Sequence, residues 1–353
     1  MQPWIGEEER EAVNEYLASG GWLTEFKKTE QFARMVGDYV GSKHCFILAN
    51  GTVTLFTALA ALGVGPGDEV IVPDYTMIAS ANAVVLTGAR PVFVDVNPTN
   101  LCLDLDLAES AITERTKAIM LVSINGRAPD MDKALQIAQK HNVALVEDAA
   151  QSLGARWKGR HLGTFGIIGS FSFSAAKIIT TGQGGALVTD DDELAEKIHM
   201  IRDFGRRQSG VDFHECIGYN FKFTDLQAVI GIEQMKKLNW RVKRKKEMFA
   251  LYRELLRDIQ QIKFFPTSEE VPPWFIDILV PDPVALREYL KQHGIDSRPF
   301  YPAIHSQPAY NVSGSFPNAE DAAQHGLWLP SSAFLSDEEI TRVCSEIRAF
   351  FKS

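Results

Sequence analysis

Short apolar runs alternate along the first two thirds of the chain with stretches in which apolar and polar positions recur at helical spacing. The runs Cys45–Leu48, Glu69–Val72, Pro91–Val96, Ala118–Val122, Val143–Val146, Ser170–Phe173 and Ala186–Thr189 predict strands. Helical patterns start near Gly51, Thr76, Asp130 and Asp191. An earlier one covers Gly6–Ser19, ahead of the Gly20-Gly21 break and the segment WLTEFKKTEQF. Glycine-rich and proline-containing turns, such as GVGPGDE at Gly63–Glu69, separate the pieces. This alternation predicts an α/β fold with a mainly parallel central sheet flanked by helices on both faces.

The pattern changes after residue 220. A charge-rich helical region runs from about Thr224 to Asp258 and contains KKLNWRVKRKKE at Lys236–Glu247. Such a run reads as a solvated helix face joining two domains and not as a nucleic-acid patch. Beyond it, Pro272–Val280 (PPWFIDILV) reads as a strand, and Pro283–His293 and Asp337–Phe351 read as helices. The expected organisation is a large domain over residues 1–240 and a smaller C-terminal α+β domain over 241–353.

Composition adds boundaries. In 353 residues, 45% are apolar and 23% charged, enough for a large core in a soluble protein. The net charge of −9 argues against nucleic acid as a partner, since phosphate binding relies on a basic face. No apolar stretch approaches membrane-span length, so no membrane partner is expected. The acidic start MQPWIGEEEREAV lacks a signal-peptide pattern, and cytoplasmic localisation is the expectation. Cys45, Cys102, Cys216 and Cys344 form no CxxC pair, so neither a disulfide framework nor a metal site is expected.

Four segments carry candidate chemistry. Asn50-Gly51-Thr52-Val53 follows a strand and opens a helix, where free backbone N–H groups attract an anion such as phosphate, or where the residues merely cap. In VALVEDAAQSLGA an apolar strand ends in Glu147-Asp148, placing carboxylates at the sheet edge where open α/β folds bind ligands, or capping the next turn. In GSFSFSAAKIITTGQGGALVTDD, Lys177 has apolar neighbours on both sides, a setting that lowers an amine's pKa and makes it nucleophilic. The glycines there precede a strand and do not form GxGxxG, which excludes a dinucleotide fingerprint. Asn220, in GYNFKFTDLQAVIGIEQM, stands just before a helix and by itself is only a turn asparagine.

In this order, EDAAQ, SFxxxxK, TTGxGG and GYN, the chain resembles the DegT/DnrJ/EryC1/StrS sugar aminotransferases, fold-type I enzymes that use pyridoxal 5'-phosphate (PLP). The resemblance runs from GGWLTEF near Gly20 to LWLPSS at Leu327–Ser332. It implies that Lys177 is the Schiff-base lysine, that Asp148 contacts the pyridine nitrogen, and that Gln151 contacts the ring's phenolic oxygen. Ser172 would hold the cofactor phosphate together with the backbone of Thr52 and Val53. Asn220 would reach that phosphate from a neighbouring subunit, which implies a homodimer with shared active sites.

The chain also departs from the family pattern. Met77 stands where an aromatic residue often stacks on the cofactor ring, and a thioether can pack on the same face. Gln183 replaces glutamate in TTGxGG, and Lys222 replaces an arginine after GYN. In DSRPFYPAIHSQPAY, the resemblance suggests Arg298 for a diphosphate and Tyr301 and His305 for sugar or phosphate contacts, against the alternative of a proline-rich surface loop. RPFYPxxHxQPxY and PWFIDI lean towards the perosamine-synthase-like branch, acting on a GDP-linked 4-keto-6-deoxyhexose with L-glutamate as amino donor. The alternatives are an aminotransferase on another keto-sugar, a PLP-dependent dehydratase, in which histidine replaces the lysine, or a non-catalytic regulator of the same fold.

Overall fold

The computed structural model describes residues 5–352. Two N-terminal helices, α1 (Glu7–Ala18) and α2 (Lys27–Val40), precede the first strand, β1 (His44–Leu48). Then follow α3 (Gly51–Ala61), β2 (Glu69–Pro73), α4 (Ala79–Leu86), β3 (Arg90–Val94), α5 (Leu105–Ser110), β4 (Thr116–Val122), α6 (Met131–His141) and β5 (Ala144–Asp148). A small hairpin, β6 (Arg156–Trp157) and β7 (Arg160–His161), leads to β8 (Ile168–Ser172), β9 (Gly185–Thr189) and α7 (Asp192–Arg202).

Seven strands form one sheet in the order β1-β9-β8-β5-β4-β2-β3. β9 runs antiparallel to both its neighbours, and the remaining pairings are parallel. The strands are apolar through most of their length because both faces are covered, with charged residues at their ends. Val70, Val72, Met120 and Val122 pack into one core with α3 and α4. Their neighbours Ile71, Ile119 and Leu121 point the other way, into a core shared with α6. Further along that face, Phe171, Phe173 and Val188 meet α2 and α8 (Asp225–Lys236).

The charge-rich region that reads as one helix is two. α8 ends at Lys236, and α9 (Leu238–Leu256) starts after Lys237. The expected boundary at 240/241 falls inside α9. Leu238 packs beneath the large sheet, and Met248, Phe249, Tyr252 and Leu256 pack against a second sheet. That sheet is antiparallel, in the order β10 (Lys263–Phe264), β11 (Ile276–Leu279), β13 (Gly326–Leu329), β12 (Arg298–Pro299). Helices α10 (Pro283–Gln292), α11 (Pro317–His325) and α12 (Asp337–Lys352) complete the C-terminal part. β11 is shorter than the apolar run from Pro272 because the two prolines offer no amide to a ladder, the Trp274 carbonyl goes to Lys245, and Asn125 takes both backbone groups of Phe275. Among the described residues no helix is long and apolar enough to cross a membrane.

Candidate active site

The parallel strands place their carboxyl ends along one edge of the sheet, and the candidate residues lie there. Strand alternation separates the two carboxylates at the end of β5. Glu147 turns to one face, where it accepts the amides of Gly163 and Gly166 at 2.6 Å each and fastens that turn. Asp148 turns to the other face. Its Oδ2 accepts the Ser80 hydroxyl at 2.6 Å and its Oδ1 the Ala150 amide at 3.1 Å. Burial pushes the Asp148 carboxyl up, while Ser80, the Ala150 amide and Lys177 favour its charge.

Lys177 follows β8 on a turn in which its amide donates to Ser174 O. Burial pulls its amine down from 10.5 to about 8, and Asp148 opposes that shift. An amine near that value is partly neutral at physiological pH and can attack a carbonyl carbon. Its Nζ stands 3.9 Å from the centroid of the Trp274 ring. The downstream TTGQGG turn depends on Gly182, whose φ of +79° lies in the left-handed region.

The start of α3 closes against β8. A Cβ built on Gly51 would come within 2.9 Å of Ser172 Cβ and 3.2 Å of its hydroxyl, so only glycine lets Ser172 sit at the mouth of this helix. Asn50 caps α3 by accepting the Val53 amide at 3.0 Å. The Val53 N–H is therefore engaged within the chain, and the amides of Gly51 and Thr52 are the ones without an intrahelical partner. Gln151 is buried and its Oε1 accepts the Asn125 amide at 2.7 Å, which leaves its Nε2 as the donor for a ligand. Met77 is exposed, with Sδ 3.1 Å from the Ala79 amide.

These groups fit PLP on chemical grounds. They comprise an amine for its carbonyl carbon, a buried carboxylate for a pyridinium nitrogen, an amide donor for a phenolate, and free amides with a hydroxyl for a phosphate.

Of the remaining expected residues, Tyr301 lies near enough to Asp148 to feel its charge, with Arg298 over its ring, while Asn220 and His305 serve other contacts. Asn220 is exposed on the loop before α8, bridged through its backbone to Asp203. Its neighbour Lys222 donates to Asp203 at 2.8 Å, so this lysine serves a structural ion pair. Arg298 is exposed, lies over the rings of Tyr301 and Trp328, and has no carboxylate partner among the described residues. Burial pushes the Tyr301 phenol up to about 12, so it stays a donor at any physiological pH. His305 is engaged at both ring nitrogens: Nδ1 to Asp74 at 2.6 Å and Nε2 to Glu320 at 3.3 Å. Its ring also stacks on Phe316.

Sequence reasoning did not reach Ser80, Trp274 or Asn125. Ser80 sits in an ordinary helix start, and only the fold brings it to Asp148. Trp274 lies in a segment noted for its strand pattern, and nothing local relates it to a lysine far upstream. Asn125 adopts a positive φ of 53° and clamps Phe275 through both amide atoms, a backbone device without a sequence signal of its own.

Comparison with known proteins places this geometry among relatives. Residues 3–348 match the DegT/DnrJ/EryC1/StrS aminotransferase family. The chain is 34% identical to the GDP-perosamine synthase of Escherichia coli O157:H7, over 99% of this chain and 97% of that protein. It is 36% identical to the GDP-perosamine synthase of Caulobacter vibrioides, over 90% and 88%. Among solved structures, that of S. venezuelae DesV in complex with a ketimine intermediate superposes with a TM-score of 0.94. That pair is 35% identical, covering 98% of this chain and 95% of that one.

Proposed function

The chain belongs to the DegT/DnrJ/EryC1/StrS aminotransferase family, and on that premise we propose that it uses PLP to transfer the amino group of L-glutamate to a nucleotide-linked 4-keto-6-deoxyhexose. The lean towards a GDP-linked sugar rests on the two perosamine synthases and on this chain's RPFYPxxHxQPxY pattern, which resembles that branch. The observation that carries the reading is the pairing of a depressed-pKa amine, Lys177, with the buried carboxylate of Asp148 at the carboxyl edge of the sheet.

When bound, PLP supplies an electron sink that acidifies a substrate C–H bond. Lys177 holds and moves the proton at that carbon, because its amine can exist in both protonation states near neutral pH. Asp148 keeps a positive charge on the pyridine nitrogen, with Ser80 and Ala150 favouring its own ionised form. Ser172 and the amides of Gly51 and Thr52 would hold the phosphate, and Gln151 Nε2 would donate to the ring oxygen.

Arg298 suits the diphosphate of the sugar nucleotide, since its guanidinium is exposed and rests on aromatic faces. Tyr301 supplies a neutral hydroxyl donor. His305 acts through position, tying its loop to Asp74.

A homodimer with a shared site fits the loop that carries Asn220. Ile217 and Phe213 there are 82% and 70% exposed, and Ile217 and Tyr219 line a groove with Phe56, Leu86 and Met200. Apolar side chains so exposed mark an interface, and the family pattern would have Asn220 reach a partner's phosphate from it. The retained Lys177 favours transamination over dehydration.

An absorbance spectrum of the purified protein, taken before and after L-glutamate, tests the reading. A visible band from lysine-bound PLP should fade with glutamate and return when a GDP-linked 4-keto-6-deoxyhexose is added. A band indifferent to glutamate rules out that donor. No band even after adding PLP favours the non-catalytic regulator.

A further inference from the structure

Trp274 stands just before β11, in the C-terminal part of the chain, yet it faces the lysine of the large sheet. The indole is buried, and the Lys177 Nζ lies 3.9 Å from its ring centroid, well inside the range of a cation–π contact. Both ends of the residue are fastened. Its Nε1 donates to Ala176 O at 2.7 Å, one residue before the lysine, and its carbonyl accepts from Lys245 Nζ at 2.8 Å. Lys245 also donates to Ser331 O, and Arg241, one turn earlier on α9, donates to Ile178 O at 2.7 Å. The ring is thus held against the lysine turn from both sides.

We propose that Trp274 is the rest site for the Lys177 amine: a positioning residue whose ring face holds the ammonium whenever the amine is not covalently engaged. This rests on the proposed function, because an amine that attaches to a cofactor and then releases it needs a defined place to wait. The titratable groups that bear on the pair are Asp148, which favours the ammonium, and Lys245 on the carbonyl side of the tryptophan, whose own amine burial pulls down to about 7. Asp148 also helps to hold the Tyr301 phenol in its neutral form. The indole adds to the hold of Asp148 and opposes the desolvation that pulls the amine down. Removing the ring should make the amine more reactive at low pH and less well placed.

The test is the pH profile of Lys177 labelling by a trinitrophenylating reagent on the full-length, cofactor-free chain, read by mass spectrometry of the Lys177 peptide. Wild type should show a midpoint near 8. Trp274→Leu should lower it by about one unit, raising labelling at pH 6 roughly tenfold, and Trp274→Phe should restore most of the wild-type profile. An unchanged midpoint in the leucine variant, or equal shifts in both variants, overturns the proposal. Should the leucine variant fail to fold, fluorinated tryptophans keep the shape and drain the ring face. The midpoint should then fall with each added fluorine, and a flat series overturns the proposal. PLP titration of wild type separates the two ideas: absence of a visible band there defeats the proposed function and leaves the labelling profile to judge Trp274.

Discussion

Ser80 governs how easily Asp148 stays ionised, through one hydrogen bond of 2.6 Å between groups that are both buried. Burial raises the carboxyl's pKa and the Ser80 hydroxyl lowers it. Ser80→Ala removes a stabiliser of the charged form, so the pKa climbs further and the acid limb of the kcat/KM profile moves to higher pH. A displacement of about one unit is expected, since a hydrogen bond to a charged group contributes about 1.5–3 kcal/mol, part of which water can replace. An acid limb that stays in place would show that Ser80 does not set the Asp148 charge. Asp148→Asn should differ in kind: it should leave folding largely intact and cut turnover at every pH, because no carboxylate remains to hold the pyridinium proton.

At the scale of elements, α2 illustrates how a helix can depend on a distant residue. Its N-cap, Phe26, offers no side-chain acceptor. Asp225, at the start of α8, takes that role: its carboxylate accepts the amides of Phe26, Lys28 and Thr29 and the hydroxyls of Thr29 and Tyr16. Burial works against this charge, but the donors outweigh it and hold the carboxyl below its usual range. Asp225→Ala should lower unfolding stability by about 2–4 kcal/mol in urea titrations at neutral pH. The folded-state pKa is depressed, so the contribution is present above the unfolded value and lost as pH falls through the folded one. Wild type and variant should therefore converge in acid. A gap that persists at low pH would point to lost packing instead.

Across the whole molecule, one continuous core joins the two sheets. Trp274, Phe275, Phe300 and Trp328 pack in the same cluster as Val72, Val122 and Val146 of the large sheet. The C-terminal part thereby brings Arg298, Tyr301 and Trp274 to the sheet edge that carries Asp148 and Lys177. If the site is also completed by a second copy, Lys177→Ala and Asn220→Ala subunits, each inactive alone, should regain activity when mixed. Random exchange leaves about half of the dimers mixed, each with one intact site, so roughly a quarter of wild-type activity is expected. No recovery, with subunit exchange demonstrated by native mass spectrometry, would count against a shared site.

The amino-acid sequence by itself determined the sheet strands, because a strand buried on both faces must be apolar along its length. β2, β4 and β9 match their runs to within two residues. It also carried the family, through EDAAQ, SFxxxxK and TTGxGG, since backbone turns and charged groups at a strand end leave local marks. What it did not carry are relations between distant segments. α2 escaped notice because its cap lies on α8, and the break at Lys237 because helical propensity continues across it. The antiparallel course of β9 is set by its return from β8 through the TTGQGG turn, which an alternation of strands and helices does not reveal. Only the tertiary structure could set Ser80 on Asp148, Trp274 on Lys177 and Asp74 on His305. Such pairs are made by packing, and packing energy depends on which surfaces the whole chain brings together.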